Sequence, residues 1–79
     1  MPILGKNYLM NIILNGENKT IDDNTNIEKL LISLDLANKR LAVEVNQKII
    51  PRGDFDKFTL SEQDKVEIVQ AIGGGSYRP

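Results

Sequence analysis

One helical pattern runs through this chain, with short alternating apolar runs on either side of it. Ile27, Leu30, Leu31 and Leu34 recur at i, i+3, i+4 and i+7, one face of a helix. Thr25-Asn26-Ile27-Glu28 fits a capping box. In that arrangement the Thr25 hydroxyl accepts from the Glu28 backbone N–H, and the Glu28 side chain reaches back. The helix is expected to stop near Asp35 to Asn38. A lone helix with one apolar face has to bury that face against a sheet. With 79 residues, one domain is allowed, and such a chain hides only roughly 60% of its unfolded surface. A deep substrate cavity would consume most of so thin a core, which argues against a self-sufficient enzyme.

The flanking runs read as strands. Met10 to Leu14 is apolar and precedes Asn15-Gly16, the strongest short hairpin signal, because both residues tolerate the φ > 0 of a type I′ turn. Glu17 to Ile21 is the returning strand, and Asp22 to Asn24 a turn. Leu41, Val43 and Val45 alternate with Ala42 and Glu44, as in a half-buried strand. Asn46-Gln47 is a two-residue turn, and Lys48 to Ile50 returns until Pro51, which cannot donate to a sheet ladder. Phe55 and Phe58 are spaced as on one turn of a short helix. Ser61 to Asp64 is a turn. Lys65 to Ala71 alternates again, Val66 and Ile68 on one face, Glu67 and Val69 on the other. The order β-β-α-β-β-(short helix)-β, with a right-handed crossing, predicts an α+β fold. It is a β-grasp arrangement, a mixed sheet of about five strands on one main helix, with the last strand beside the first. The folded domain is expected over 10–72, with an N-terminal extension over 1–9 and a flexible C-terminal tail over 73–79.

Composition closes off several function classes. Ten Lys plus Arg against eleven Asp plus Glu give a net charge of −1, which is no footprint for nucleic acid. Without Cys there is no disulfide framework and no thiolate. Without His the commonest general base and metal ligand are missing. No apolar run approaches the ~20 residues that cross a membrane, and Met1 to Met10 lacks the apolar stretch of a signal peptide. The expectation is a cytoplasmic protein with no metal site, no membrane partner and no catalytic residues of its own.

Few side chains here offer chemistry. Asp54 and Asp56 read as solvated turn residues, and Asp22-Asp23 as acidic residues leading a helix. Arg52 is a candidate contact for a partner or a carboxylate. Val69 is expected on the open sheet face with Ile13 and Ala42, a candidate docking patch. Gly73-Gly74-Gly75 matches no phosphate-cradling pattern, because no helix follows it. By itself the tripeptide reads as a linker. Its position directly after the last strand makes it a narrow arm that reaches about 20 Å from Val69 to Gly75. Such an arm could thread a carboxyl terminus into another protein's active site, with Ala71 and Ile72 touching whatever grips it.

The segment Val45-Asn46-Gln47-Lys48-Ile49-Ile50-Pro51-Arg52, then Asp64-Lys65-Val66-Glu67-Ile68-Val69 and the three glycines, resembles the ThiS-type sulfur carriers of thiamine biosynthesis. The likeness reaches back through the helix start to Met10. It implies a ubiquitin-like β-grasp fold. It also implies that a C-terminal glycine carboxylate, here Gly75 on an arm of Gly73 and Gly74, is adenylated by a ThiF-type enzyme that uses ATP. The carrier itself binds no cofactor. A sulfur-donating enzyme then converts the adenylate to a thiocarboxylate, which a ThiG-type thiazole synthase consumes. The molybdopterin-type (MoaD-like) carriers share the fold and a similar Gly-Gly end, and a non-activated ubiquitin-like interaction module is a further alternative. Two features depart from the pattern. Ser76, Tyr77, Arg78 and Pro79 follow Gly75, so the carrier reading needs their loss. Gln63-Asp64 stands where the family often has Gly-Asp, which is expected to alter the turn.

Overall fold

The structure is a computed structural model and describes residues 9–70. The elements are β1 (Leu9–Leu14), β2 (Glu17–Asp22), α1 (Ile27–Ser33), β3 (Leu41–Val45), β4 (Lys48–Ile50), a 3-10 turn (Arg52–Asp54) and β5 (Lys65–Gln70). The sheet order is β2-β1-β5-β3-β4. β5 pairs parallel with β1 and antiparallel with β3, so the last strand lies centrally beside the first, as expected. β2 and β3 therefore run in the same direction on opposite sides of the central pair, and α1 crosses between them.

Alternation sorts the faces. Met10, Ile12, Val43, Val45, Ile50 and Val66 point inward and meet Ile27, Leu30 and Leu31 of α1, with Phe55 and Leu60 closing the layer. Ile12, Ile27, Val43 and Val66 are wholly buried. Each such side chain contributes about 1.5–3 kcal/mol relative to exposure. Asn15 (φ 50) and Gly16 (φ 86) take the left-handed conformation expected of them, and the two-residue turn Asn46 (φ 53) and Gln47 (φ 72) takes it as well.

The ends of α1 differ from expectation. Asn26, not Thr25, is the N-cap: its Oδ1 accepts from the Lys29 N–H at 2.7 Å, while its Nδ2 donates to the Asp56 carbonyl. The Ile27 and Glu28 N–H groups donate to the Phe58 and Phe55 carbonyls. The first helical donors, which have no partner inside the helix, are thus satisfied by a loop far along the chain. Thr25 instead donates its hydroxyl to the Asp22 carbonyl. The helix closes at Ser33, ahead of the expected span, and Asp35 turns left-handed at φ 64. The short helical turn falls on Arg52–Asp54 rather than between the two phenylalanines, and Phe58 is half-buried. Leu9 belongs to β1, paired with Asp22, and not to an extension.

Candidate functional site

β5 is held most firmly where it begins. Asp64 accepts from the Asn46 side chain at 2.9 Å and from the Ser61 N–H at 2.8 Å. Asn46 Oδ1 in turn accepts from the Lys65 N–H, and the Asn46 N–H donates to the Lys65 carbonyl. Gln63 donates its N–H to the Asn11 carbonyl and sits at φ 69. The turn geometry that a glycine would adopt freely is therefore kept here by a glutamine, at a conformational cost of about 1–2 kcal/mol.

Further along, β1 stops accompanying β5. Its register with β5 covers only Ile13↔Lys65 and Leu14↔Val66. The chain then turns at Asn15, whose side-chain oxygen accepts from the Ile68 N–H at 2.8 Å and stands in for the missing backbone carbonyl. β3 continues alongside to Gln70. The strand thus leads out towards Ala71, Ile72, Gly73, Gly74 and Gly75. Those residues, like Ser76 to Pro79, lie outside the described residues.

The open sheet face carries exposed apolar residues, though not the three expected together. Val69 is 52% exposed and lies directly opposite half-buried Ala42. Ile13 shares that face but pairs with Lys65, four residues back along β5, about 13 Å away. The structure brings Val69 and Ala42 together and leaves Ile13 apart. It adds Ile49, 70% exposed, whose register partner Glu44 lies opposite Glu67. Ile49 was missed because β4 is three residues long, too short for alternation to show which isoleucine points out. Glu44 and Glu67 place like charges face to face, an unfavourable pairing in an isolated sheet.

Arg52 lies elsewhere. Its guanidinium donates to the Lys39 carbonyl at 2.9 Å and stacks over the Phe55 ring at 5.6 Å. With Glu28 and Leu31 it lines an open depression of about 310 Å³ beside α1. The side chain ties the segment after β4 to the loop before β3. Asp54 and Asp56 are exposed. Among the described residues no group of three or more acidic side chains gathers as a metal site, and no helix is long and apolar enough to cross a membrane.

Comparisons with known proteins converge. The model of the ThiS family matches residues 12–75. The sulfur carrier protein ThiS of Bacillus subtilis is 40% identical over 63 residues, covering 78% of this chain and 96% of that one. A crystal structure of the thiamine biosynthesis protein (ThiS) from Geobacter metallireducens superposes with a TM-score of 0.72 at 35% identity, covering 84% of this chain and 100% of the other. A thiazole synthase of Magnetococcus marinus is 40% identical over 70 residues, covering 89% of this chain and 22% of that one. The chain spans about one fifth of the length of the thiazole synthases it matches.

Proposed function

The chain belongs to the ThiS family, and from that premise we propose that it is a sulfur carrier of thiamine biosynthesis whose reactive group is the carboxylate of Gly75. The observation that carries this reading is the placement of β5. A strand pinned at its start in the middle of the sheet leads towards three glycines, and the family match ends at the third. Glycines without side chains make an arm slim enough for a channel.

The chemistry asks little of the domain. A Gly75 carboxylate oxygen attacks the α-phosphorus of ATP in a ThiF-type enzyme, and pyrophosphate leaves. The product is an acyl-adenylate, whose good leaving group makes the main-chain carbonyl an acyl donor. A sulfur nucleophile at the sulfide level then attacks the carbonyl carbon, AMP leaves, and a thiocarboxylate remains for a ThiG-type thiazole synthase. Val69, Ala42 and Ile49 form the docking patch for the adenylating enzyme, with Ala71 and Ile72 gripped nearer the arm. The similarity to thiazole synthases supports the ThiG-type partner, because in those proteins a region like this one belongs to the synthase chain itself.

The test is the chain ended at Gly75, incubated with a ThiF-type enzyme and ATP. The expected result is an adenylate, and then, with a sulfur donor, an intact mass in which one oxygen is exchanged for sulfur. Gly75→Val in the same chain should lose transfer while keeping its melting temperature. No ATP-dependent adduct from the shortened chain would sink the carrier reading and leave a ubiquitin-like interaction module.

A further inference from the structure

The two edges of the sheet are not equally protected. β4 is three residues long and ends at Pro51, so it offers little to pair with. β2 is six residues long, contains no proline, and pairs with β1 in unbroken register from Leu9↔Asp22 to Leu14↔Glu17, without a bulge. Its outward backbone groups can be identified. Across the seam between β1 and the β5 side, the Asn11 carbonyl accepts from the Gln63 N–H, the Ile13 N–H donates to the Asp64 carbonyl, and the Asn11 N–H meets Glu62. The backbones of Asn11 and Ile13 therefore face β5. In an antiparallel ladder their partners Thr20 and Asn18 turn both N–H and C=O away from β1. The Asp22 carbonyl, next in that row, is already taken by the Thr25 hydroxyl. Among the described residues, the open stretch is thus Asn18 to the Asp22 N–H.

Beside this edge runs a groove of about 340 Å³ between β2 and α1. Ile21 and Leu30, both buried, form its floor, Lys19 from the strand and Lys29 from the helix stand at its sides, and Asp22 lines it where the strand ends, so the cationic part is the stretch beside Lys19 and Lys29. Lys19 points to the helix side of the sheet, in register with buried Ile12. A lysine pointing inward at an edge deters an apolar or cationic strand. The same lysine, paired across the groove with Lys29, favours a strand whose helix-side residues are carboxylates.

We propose that the β2 edge is a second interaction site, which takes an extended, acidic segment of a partner protein by strand addition. Backbone bonds at Asn18 and Thr20 hold the segment, and its carboxylates meet Lys19 and Lys29. This site is on the opposite edge from β4 and makes no use of the C-terminal glycines, so it stands or falls apart from the carrier chemistry.

The experiment titrates the chain with a capped eight-residue peptide alternating valine and aspartate, read by amide chemical shifts. The control peptide carries lysine in place of aspartate. The acidic peptide should shift the β2 and α1 amides and the basic one should not, and added salt should weaken the effect. Asn18→Pro removes an outward N–H that the fold does not use, and should weaken binding at least roughly tenfold, whereas Asn18→Ala should bind as the unaltered chain does. Lys19→Glu with Lys29→Glu should invert the preference, and serves as the independent variant if the proline disturbs folding. Equal binding of both peptides, shifts confined to other strands, or no shift at millimolar peptide would overturn the proposal.

Discussion

The two ends of β5 are built on different plans. At its start, Gln63, Asp64 and Lys65 engage Asn11, Asn46 and Ser61 through short hydrogen bonds that reach across 18 or more residues in several cases. At its end, Ile68 to Gln70 keep β3 on one side and a single asparagine side chain on the other, and Val69 lies open to solvent. One end is arranged for position and the other for access. A site that acts by presenting its terminus needs both: a fixed origin and an unobstructed exit.

Substitutions can break or sharpen that contrast. The largest effect is expected at the start. Asp64→Ala removes two acceptor contacts and should lower the unfolding free energy by about 2 kcal/mol. That is roughly a 10 °C drop in melting temperature for a chain of this size, measured by thermal denaturation. Gln63→Gly relieves the left-handed glutamine and should stabilise by about 1 kcal/mol in the same assay; a loss would mean that the turn is not under strain. Midway along the strand, Glu44→Gln removes the like-charge pairing with Glu67 and should raise stability by about 0.5 kcal/mol, an increment that shrinks at high salt. At the end, Val69→Thr should leave stability within about 0.5 kcal/mol. The same change should weaken binding of the Gly75-ended chain to the adenylating enzyme about fivefold, read by calorimetry. Equal losses of stability and binding would place Val69 in the structural half of the comparison and erase the distinction.

Much of this architecture could be read from residue order. Asn15-Gly16 announces a turn through its tolerance of positive φ, Asn46-Gln47 by its place between two apolar runs, and period-2 alternation assigns Val66 and Ile68 to the interior. What escaped the reading depends on residues distant in sequence. Thr25 carries the local capping pattern, but Asn26 becomes the cap because the Phe55 to Phe58 loop brings carbonyls to the Ile27 and Glu28 amides and accepts the Asn26 amide. Arg52 is exposed, and its hydrogen bond to the Lys39 carbonyl and its stacking on the Phe55 ring depend on how the loops meet in space. Ile13 lies away from Val69 because a shared face is not a shared position, and position along a strand comes only from register. Ala71, Ile72 and the three glycines lie outside the described residues, and their assignment rests on the family match.

The central place of β5 has a mechanical consequence. A force applied to β5 from its C-terminal end acts along the strand axis. The hydrogen bonds to β1 and β3 lie across that axis, so the pull loads both rows in shear together instead of opening them one at a time like a zipper. An edge strand pulled the same way would have one such row to resist instead of two. Tension along β5 is therefore shared by its neighbours on both sides, and the hydrogen-bonded turn at its start carries the load into the rest of the sheet.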